Sequence, residues 1–323
     1  MANGIRILPP VEMLVRGQKI AVPIVLMLEQ RLKARGIHAK FLGAEETKAV
    51  YTTTSTDSKG RVTTQTHPAV QHVEITLQEH LLAGKEKMGF FANMSDAMAT
   101  VFGAGKHDTL EPGEHEFNVE VSIPEDGPAP HVGQKTRVFY ELSIHVDVPA
   151  GFDLNATQSF QVEPLPMAEY KTAPVRTRYP DDAGLGLLDS FVSPDVRVEM
   201  ALVADKYQLH ETIEGIFTIE SEQSLKCRRI LVQLIGIESS EAHGHHDQYV
   251  HQGKPLDLGT PGTVTGTYSQ EFSLPAEITA PLTATGKQFS FDWFVQVQLD
   301  VPWAKDPKIR APIVLLDNHQ IGT

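Results

Sequence analysis

The sequence is short of several things, and each shortage removes a class of explanation. One cysteine, Cys227, serves 323 residues, so there is neither an internal disulfide nor a second thiol for a C-x-x-C redox or zinc site. A reducing cytoplasm is the expected setting. No apolar run reaches the roughly 18 residues needed to span a bilayer, and Met1-Ala2-Asn3-Gly4-Ile5-Arg6 lacks the basic-then-apolar order of an export signal. A protein with no integral membrane segment, and not secreted, is expected. Basic residues are the minority, 28 against 41 acidic, and the formal charge of −13 repels nucleic acid. Glycine-rich phosphate loops, Gly-x-Ser-x-Gly elbows and His-Glu-x-x-His pairs do not occur. The carboxylates show no spacing that singles out an acid and a base. No catalytic residue, no cofactor-binding residue and no enzyme activity are therefore expected.

What the chain does have is length and alternation. At 323 residues with 41% hydrophobic content it exceeds what one core usually serves, so two domains are expected. The chain also repeats itself. Ile20 to Glu45 aligns without gaps on Ile213 to Glu238, with identities at Glu29/Glu222, Gln30/Gln223, Leu32/Leu225, Lys33/Lys226, Arg35/Arg228, Ile37/Ile230 and Gly43/Gly236. A second block sets Val138 to Pro149 on Phe291 to Pro302, both ending in Asp-Val-Pro. Within it Val138, Tyr140, Leu142, Ile144 and Val146 alternate with Phe139, Glu141, Ser143, His145 and Asp147, the period of a strand with one buried face. Cys227, in Leu225-Lys226-Cys227-Arg228-Arg229-Ile230, reads as a half-buried strand residue.

Many such runs, punctuated by glycine, proline, asparagine and aspartate, predict an all-β chain of two tandem immunoglobulin-type β-sandwich domains. The first is placed at residues 1–165, a linker rich in proline at 166–189, and the second at 190–323. One short helix is predicted in the first domain, where Phe90, Phe91, Met94, Ala97, Met98, Val101 and Phe102 share a stripe. That stripe either packs on the first sandwich or offers Phe90, Phe91, Met94 and Met98 to a partner.

Three further features are candidate sites. The segment from His243 to His251 gathers His243, His245, His246 and His251, whose imidazoles could ligate a divalent metal or form a solvated, pH-responsive loop. Arg31, Lys33 and Arg35 could meet an anionic partner or guard a strand edge against pairing. Leu234-Ile235-Gly236-Ile237-Glu238 has the spacing of a clathrin-box peptide, but it falls on a core strand, where Leu234 is expected to be buried.

The order of these blocks resembles the arrestin-like superfamily, which includes arrestins, arrestin-domain trafficking adaptors, the arrestin-like retromer subunit and bacterial sporulation-control proteins. Carrying the resemblance are Gly17-Gln18-Lys19-Ile20 followed by Phe41-Leu42-Gly43, Leu110 to Phe117 leading to Ile123-Pro124, Tyr140 to Ile144 ending in Asp147-Val148-Pro149, and Tyr207 to Gly215. The resemblance implies two arrestin-like sandwiches sharing a hinge, no cofactor, and binding to other proteins such as the tails or cargo of membrane proteins. Signalling arrestins carry a long regulatory tail after the last strand, whereas here the sequence stops soon after Ala311 to Leu316, and no Pro-Pro-x-Tyr motif is present. The expected function is a cytoplasmic, non-enzymatic adaptor or scaffold in transport or signalling that grips partners by sheet edges and concave faces through β-strand addition. A metal- or small-ligand-binding sandwich centred on the histidine loop, and a self-assembling structural protein, are the alternatives.

Overall fold

The computed structural model describes residues 3–9, 13–84, 109–149, 151–162, 172–179, 196–302 and 306–316, and every regular element among them is a strand. The segment 88–102, where a helix was predicted, lies outside the described residues, with Phe90, Phe91, Met94 and Met98 in it. The chain divides into two compact units. One comprises Met1–Glu46, His72–His131 and Arg137–Glu163, and the other comprises Thr47–Gln71, Val132–Thr136 and Pro164–Thr323. The second thus takes in two segments that precede the expected linker.

The first repeat is built on strands β1 (Gly4–Ile7), β2 (Lys19–Leu28), β3 (Gly36–Thr56), β4 (Val62–Gly84), β5 (Gly113–Ser122), β6 (Thr136–Asp147) and β7 (Leu154–Ser159), of which residues 47–56 of β3, 62–71 of β4 and Thr136 of β6 belong to the second unit. One sheet runs β1-β2-β5 and the other β7-β6-β3-β4. Alternation decides what is inside: Val138, Tyr140, Leu142, Ile144 and Val146 of β6 are buried, as are Val22, Ile24 and Leu26 of β2. Phe41 stacks on Tyr140 at 6.4 Å and meets Phe160 edge-on at 5.9 Å. The Tyr140 ring lies under Gly43, where a Cβ would stand 2.5 Å from it. Its hydroxyl donates to the carbonyl of Pro128 at 2.9 Å, so the phenol is buried without losing its hydrogen bond. Arg35 closes the end of the sheet on Asp147, with a side-chain ion pair of 2.5 Å and a main-chain N–H bond of 2.8 Å.

The second unit repeats this plan. Its strands are β8 (Val175–Tyr179), β9 (Val196–Leu202), β10 (Thr212–Cys227), β11 (Arg229–Ala242), β12 (His245–Gln252), β13 (Gly262–Pro275), β14 (Phe289–Asp300) and β15 (Lys308–Leu316). The sheets run β8-β9-β10-β13 and β15-β14-β11-β12. Strand for strand, β9-β10-β13 matches β1-β2-β5, and β15-β14-β11-β12 matches β7-β6-β3-β4. Strand β8 is an addition, formed by Val175–Tyr179 within the segment read from sequence as a linker.

The correspondence extends to individual bonds. Trp293, aligned with Tyr140, donates its indole N–H to the carbonyl of Pro281 at 2.9 Å and lies against Gly236, the counterpart of Gly43. Arg228, aligned with Arg35, pairs with Asp300 at 2.5 Å and donates its main-chain N–H to that residue's carbonyl at 2.9 Å. Phe217, Ile219, Ile230, Val232, Phe291 and Val295 are all buried in this core. Each repeat therefore kept its aromatic anchor, the glycine that makes room for it and the ion pair at the strand end.

Candidate functional site

Strand β11 begins as an ordinary buried strand, with Ile230, Val232 and Leu234 facing inward. The same phase then delivers Gly236, Glu238 and Ser240 to the interior. Glu238 has no exposed surface, and a bare carboxylate there would be prohibitively costly. It is held by main-chain N–H groups of Gln134, Lys135 and Thr136 at 2.9, 2.7 and 2.7 Å, by the Thr136 hydroxyl at 2.8 Å, and by His251 Nε2 at 2.9 Å. Gly133 admits it, since a Cβ at that position would stand 2.2 Å from a carboxylate oxygen. Burial alone would raise the Glu238 pKa, but the bonds from His251, from the N–H groups of Lys135 and Gln134 and from Thr136 outweigh it and hold the carboxyl below its ordinary range.

Around this carboxylate, segments 47–71 and 132–136 join the rest of the second unit through matched bonds. Thr47 donates its hydroxyl to the carbonyl of Glu241 at 2.6 Å, and Ser240 donates its own to the carbonyl of Lys48 at 2.6 Å. The alignment that sets Ile20 on Ile213 also sets Thr47 on Ser240 and Lys48 on Glu241, so the two bonds are reciprocal, as in a contact with local two-fold symmetry. Ala49 and its counterpart Ala242 pack together with Ala69. Lys135 reaches Asp247 at 2.6 Å. Burial works against the Asp247 charge, but Lys135 and the N–H of Gln248 hold that carboxyl low.

The histidines expected to form a loop cluster lie along this seam and do not converge. His243 and Gly244 form a two-residue hairpin with φ of 53° and 78°, the left-handed pair that a tight β-turn requires. The His243 ring donates to the carbonyl of Val70 at 3.0 Å, and its main-chain N–H donates to Gln71 at 2.6 Å. His245 stacks on Tyr51 at 4.2 Å, with His67 on that ring at 5.2 Å. His251 serves Glu238, while His246, on the opposite face of β12 from His245 and His251, lies 3.8 Å from the Glu241 carboxylate. Among the described residues no group of three or more His, Cys, Asp or Glu is arranged to hold a metal ion. Of the basic candidates, Arg31 pairs with Glu111 at 2.8 Å and Arg35 with Asp147. Lys33 is exposed on the two-residue strand Leu32–Lys33.

A different kind of surface runs along β13. This strand pairs with β10 from Thr212↔Pro275 to Ile219↔Tyr268 and on to Ser221↔Gly266, where a register shift begins and Gly266 takes φ of 76°. Thr267 to Pro275 is therefore a straight edge. Among the described residues no strand pairs its outer side. Phe272 and Leu274 point into the core, while Thr267, Ser269, Glu271 and Ser273 are exposed. The strand carries no lysine, arginine or internal proline, the usual guards against edge pairing. Its counterpart β5 is more heavily charged, with Glu114, Glu116 and Glu120 exposed. Sequence reading did not single out β13 or Glu238 as functional.

Two comparisons bear on these features. The family model for the arrestin (S-antigen) N-terminal domain matches residues 9–166. No curated protein matches the chain. Among the described residues no helix is long and apolar enough to cross a membrane.

Proposed function

The chain belongs, through residues 9–166, to the arrestin-like superfamily, and on that premise we propose that it is a non-enzymatic, cytoplasmic adaptor that accepts an extended segment of a protein partner as an added strand along β13. The partner segments in view are exposed tails or cargo of membrane proteins. The observation that carries this reading is the straight, unguarded edge from Thr267 to Pro275. Main-chain hydrogen bonds along such an edge supply affinity, and pockets for alternate side chains supply selectivity.

Neighbouring residues of an antiparallel edge strand direct their N–H groups alternately to the paired strand and outward. Of Ser269→Pro and Gln270→Pro, one therefore removes a main-chain bond to β10 and the other an outward main-chain donor, and each also loses a side-chain bond, to Thr218 or to Tyr268, that Ser269→Ala and Gln270→Ala remove alone as references. The proline variant that keeps the melting temperature of its alanine reference is the edge block. Crosslinking in cells of origin is expected to capture protein partners with the parent chain and to lose them with that variant. Equal capture by both, or capture of none by the parent, overturns the reading.

A further inference from the structure

We infer that the strand accepted by β13 carries basic side chains on its outward face and apolar side chains on its inward face; this rests on the strand-addition reading above and specifies the partner's chemistry.

Registers across the β8-β9-β10-β13 sheet arrange its outward side chains in rows. One row runs Arg176, Ala201, Ile216, Glu271, and the next runs Arg178, Glu199, Thr218, Ser269. A third runs from Arg197 through Glu220 to Thr267. In the second row Arg178 pairs with Glu199 at 3.3 Å, and Thr218 bonds Ser269 at 2.9 Å. Arginines of this face thus stand on β8 and β9, whereas from Thr212 to Ser221 and across from it β10 and β13 contribute Glu214, Glu220 and Glu271, and the exposed Lys226 of β10 lies past the register shift, across from Thr263. From Thr212 to Leu225 and from Gly262 to Pro275 the chain has no lysine or arginine. Over Thr212 to Ser221 the sheet is polarised along its hydrogen-bonding direction, negative toward the side on which no described strand pairs.

A strand added there places one outward side chain directly across from Glu271, at the roughly 5 Å separation of a cross-strand pair. An acidic residue in that position is repelled, by Glu271 directly and by Glu220 and Glu214 beyond it. A lysine or arginine extends the row that begins at Arg176 with the sign Glu271 calls for. On the inward face the new neighbours are Phe272 and Leu274, both buried, with Tyr268 and Gln270 half-buried beside them, and only apolar side chains continue that layer without an unpaired polar group. Alternating basic and apolar residues over the reach of Thr267 to Pro275 satisfy both faces.

The test uses the full chain and two synthetic peptides of equal length, one alternating Lys and Val and one alternating Glu and Val. Both are N-methylated along one edge so that they cannot stack on themselves. Titration at low salt is expected to show the Lys/Val peptide binding at least about fivefold more tightly, with hydrogen-exchange protection of β13. Glu271→Lys is expected to abolish that preference, while Glu116→Lys on β5, which changes net charge equally, leaves it intact. A preference that survives Glu271→Lys, one that Glu116→Lys reduces as much, or tighter binding of the Glu/Val peptide overturns the inference while leaving strand addition standing. Binding of neither peptide removes both.

Discussion

His251 Nε2 lies 2.9 Å from a carboxylate oxygen of Glu238, a residue with no exposed surface. Glu238 stands across from Tyr249 on one side and Phe291 on the other, so its ring and chain neighbours offer little compensation beyond that imidazole. The rest comes from the main chain of residues 134–136 and from the Thr136 hydroxyl. One side chain therefore ties a distant turn into the second unit.

Replacing Glu238 by glutamine removes the charge and turns an amide donor toward N–H groups that need an acceptor. A loss of about 2–4 kcal/mol is expected, measured by chemical denaturation of the full chain. Thr136→Val, which removes only one of the bonds, is expected to cost about 1 kcal/mol.

The same carboxylate sets an acid dependence. Its pKa is lower folded than unfolded, so its contribution is complete above the unfolded value near about 4.3 and is lost as pH falls through the folded value. Asp247, also held low, adds in the same direction. Melting temperatures recorded from pH 7 down to pH 3 should decline below the ordinary carboxylate range, and Glu238→Gln should flatten that decline.

Gly43 and Gly236 occupy equivalent places but differ in room. A Cβ at position 43 would stand 2.5 Å from the Tyr140 ring, whereas one at position 236 would stand 3.1 Å from Phe291 and Trp293. Gly43→Ala is expected to cost about 1–3 kcal/mol and Gly236→Ala clearly less. Equal effects in side-by-side denaturation would contradict the packing account.

Tyr140→Phe and Trp293→Phe each delete the polar end of an aromatic anchor and strand a proline carbonyl. Burial pushes the Tyr140 phenol well above its ordinary pKa, so its proton stays in place to donate throughout the accessible range. Each substitution is expected to destabilise by about 1–2 kcal/mol, with the tryptophan variant also losing ring volume.

Cys227 is 1% exposed, its thiol donates to the Arg229 carbonyl, and burial raises its pKa. An aromatic disulfide reagent should find no rapidly reacting thiol in the native chain at pH 8 and one full equivalent in denaturant. Fast native reaction would show that the end of β10 is not closed.

Strand faces were legible because period two survives translation into burial: the five inward residues of β6 read from the sequence are buried, and so are their counterparts on β14. The duplication was legible because anchors and strand-end charges recur in order. Glu238 was not recognised because it closes a run that resembles a short linear motif, and its donors lie about a hundred positions earlier in the main chain, where composition carries no signal. A clue was present all the same, since the repeat alignment sets it on Glu45 and both positions belong to the apolar phase of their strands. The histidine segment misled in the other direction. Density of imidazoles suggested a cluster, but a strand sends His245 and His246 to opposite faces, and the turn spends His243 on its own geometry. Strand β8 escaped notice because five alternating residues between proline-rich stretches read as connection.

The reciprocal bonding of Thr47 with Glu241 and of Ser240 with Lys48 bears on how the gene can be cut. Truncations designed at the repeat border would sever residues 47–71 and 132–136 from the body they complete, leaving Glu238 with His251 but without its donors from residues 134–136 and an alanine-lined surface wetted. Inheritance and folding draw different frontiers through this polypeptide, and an expression fragment that respects only the first is half of something.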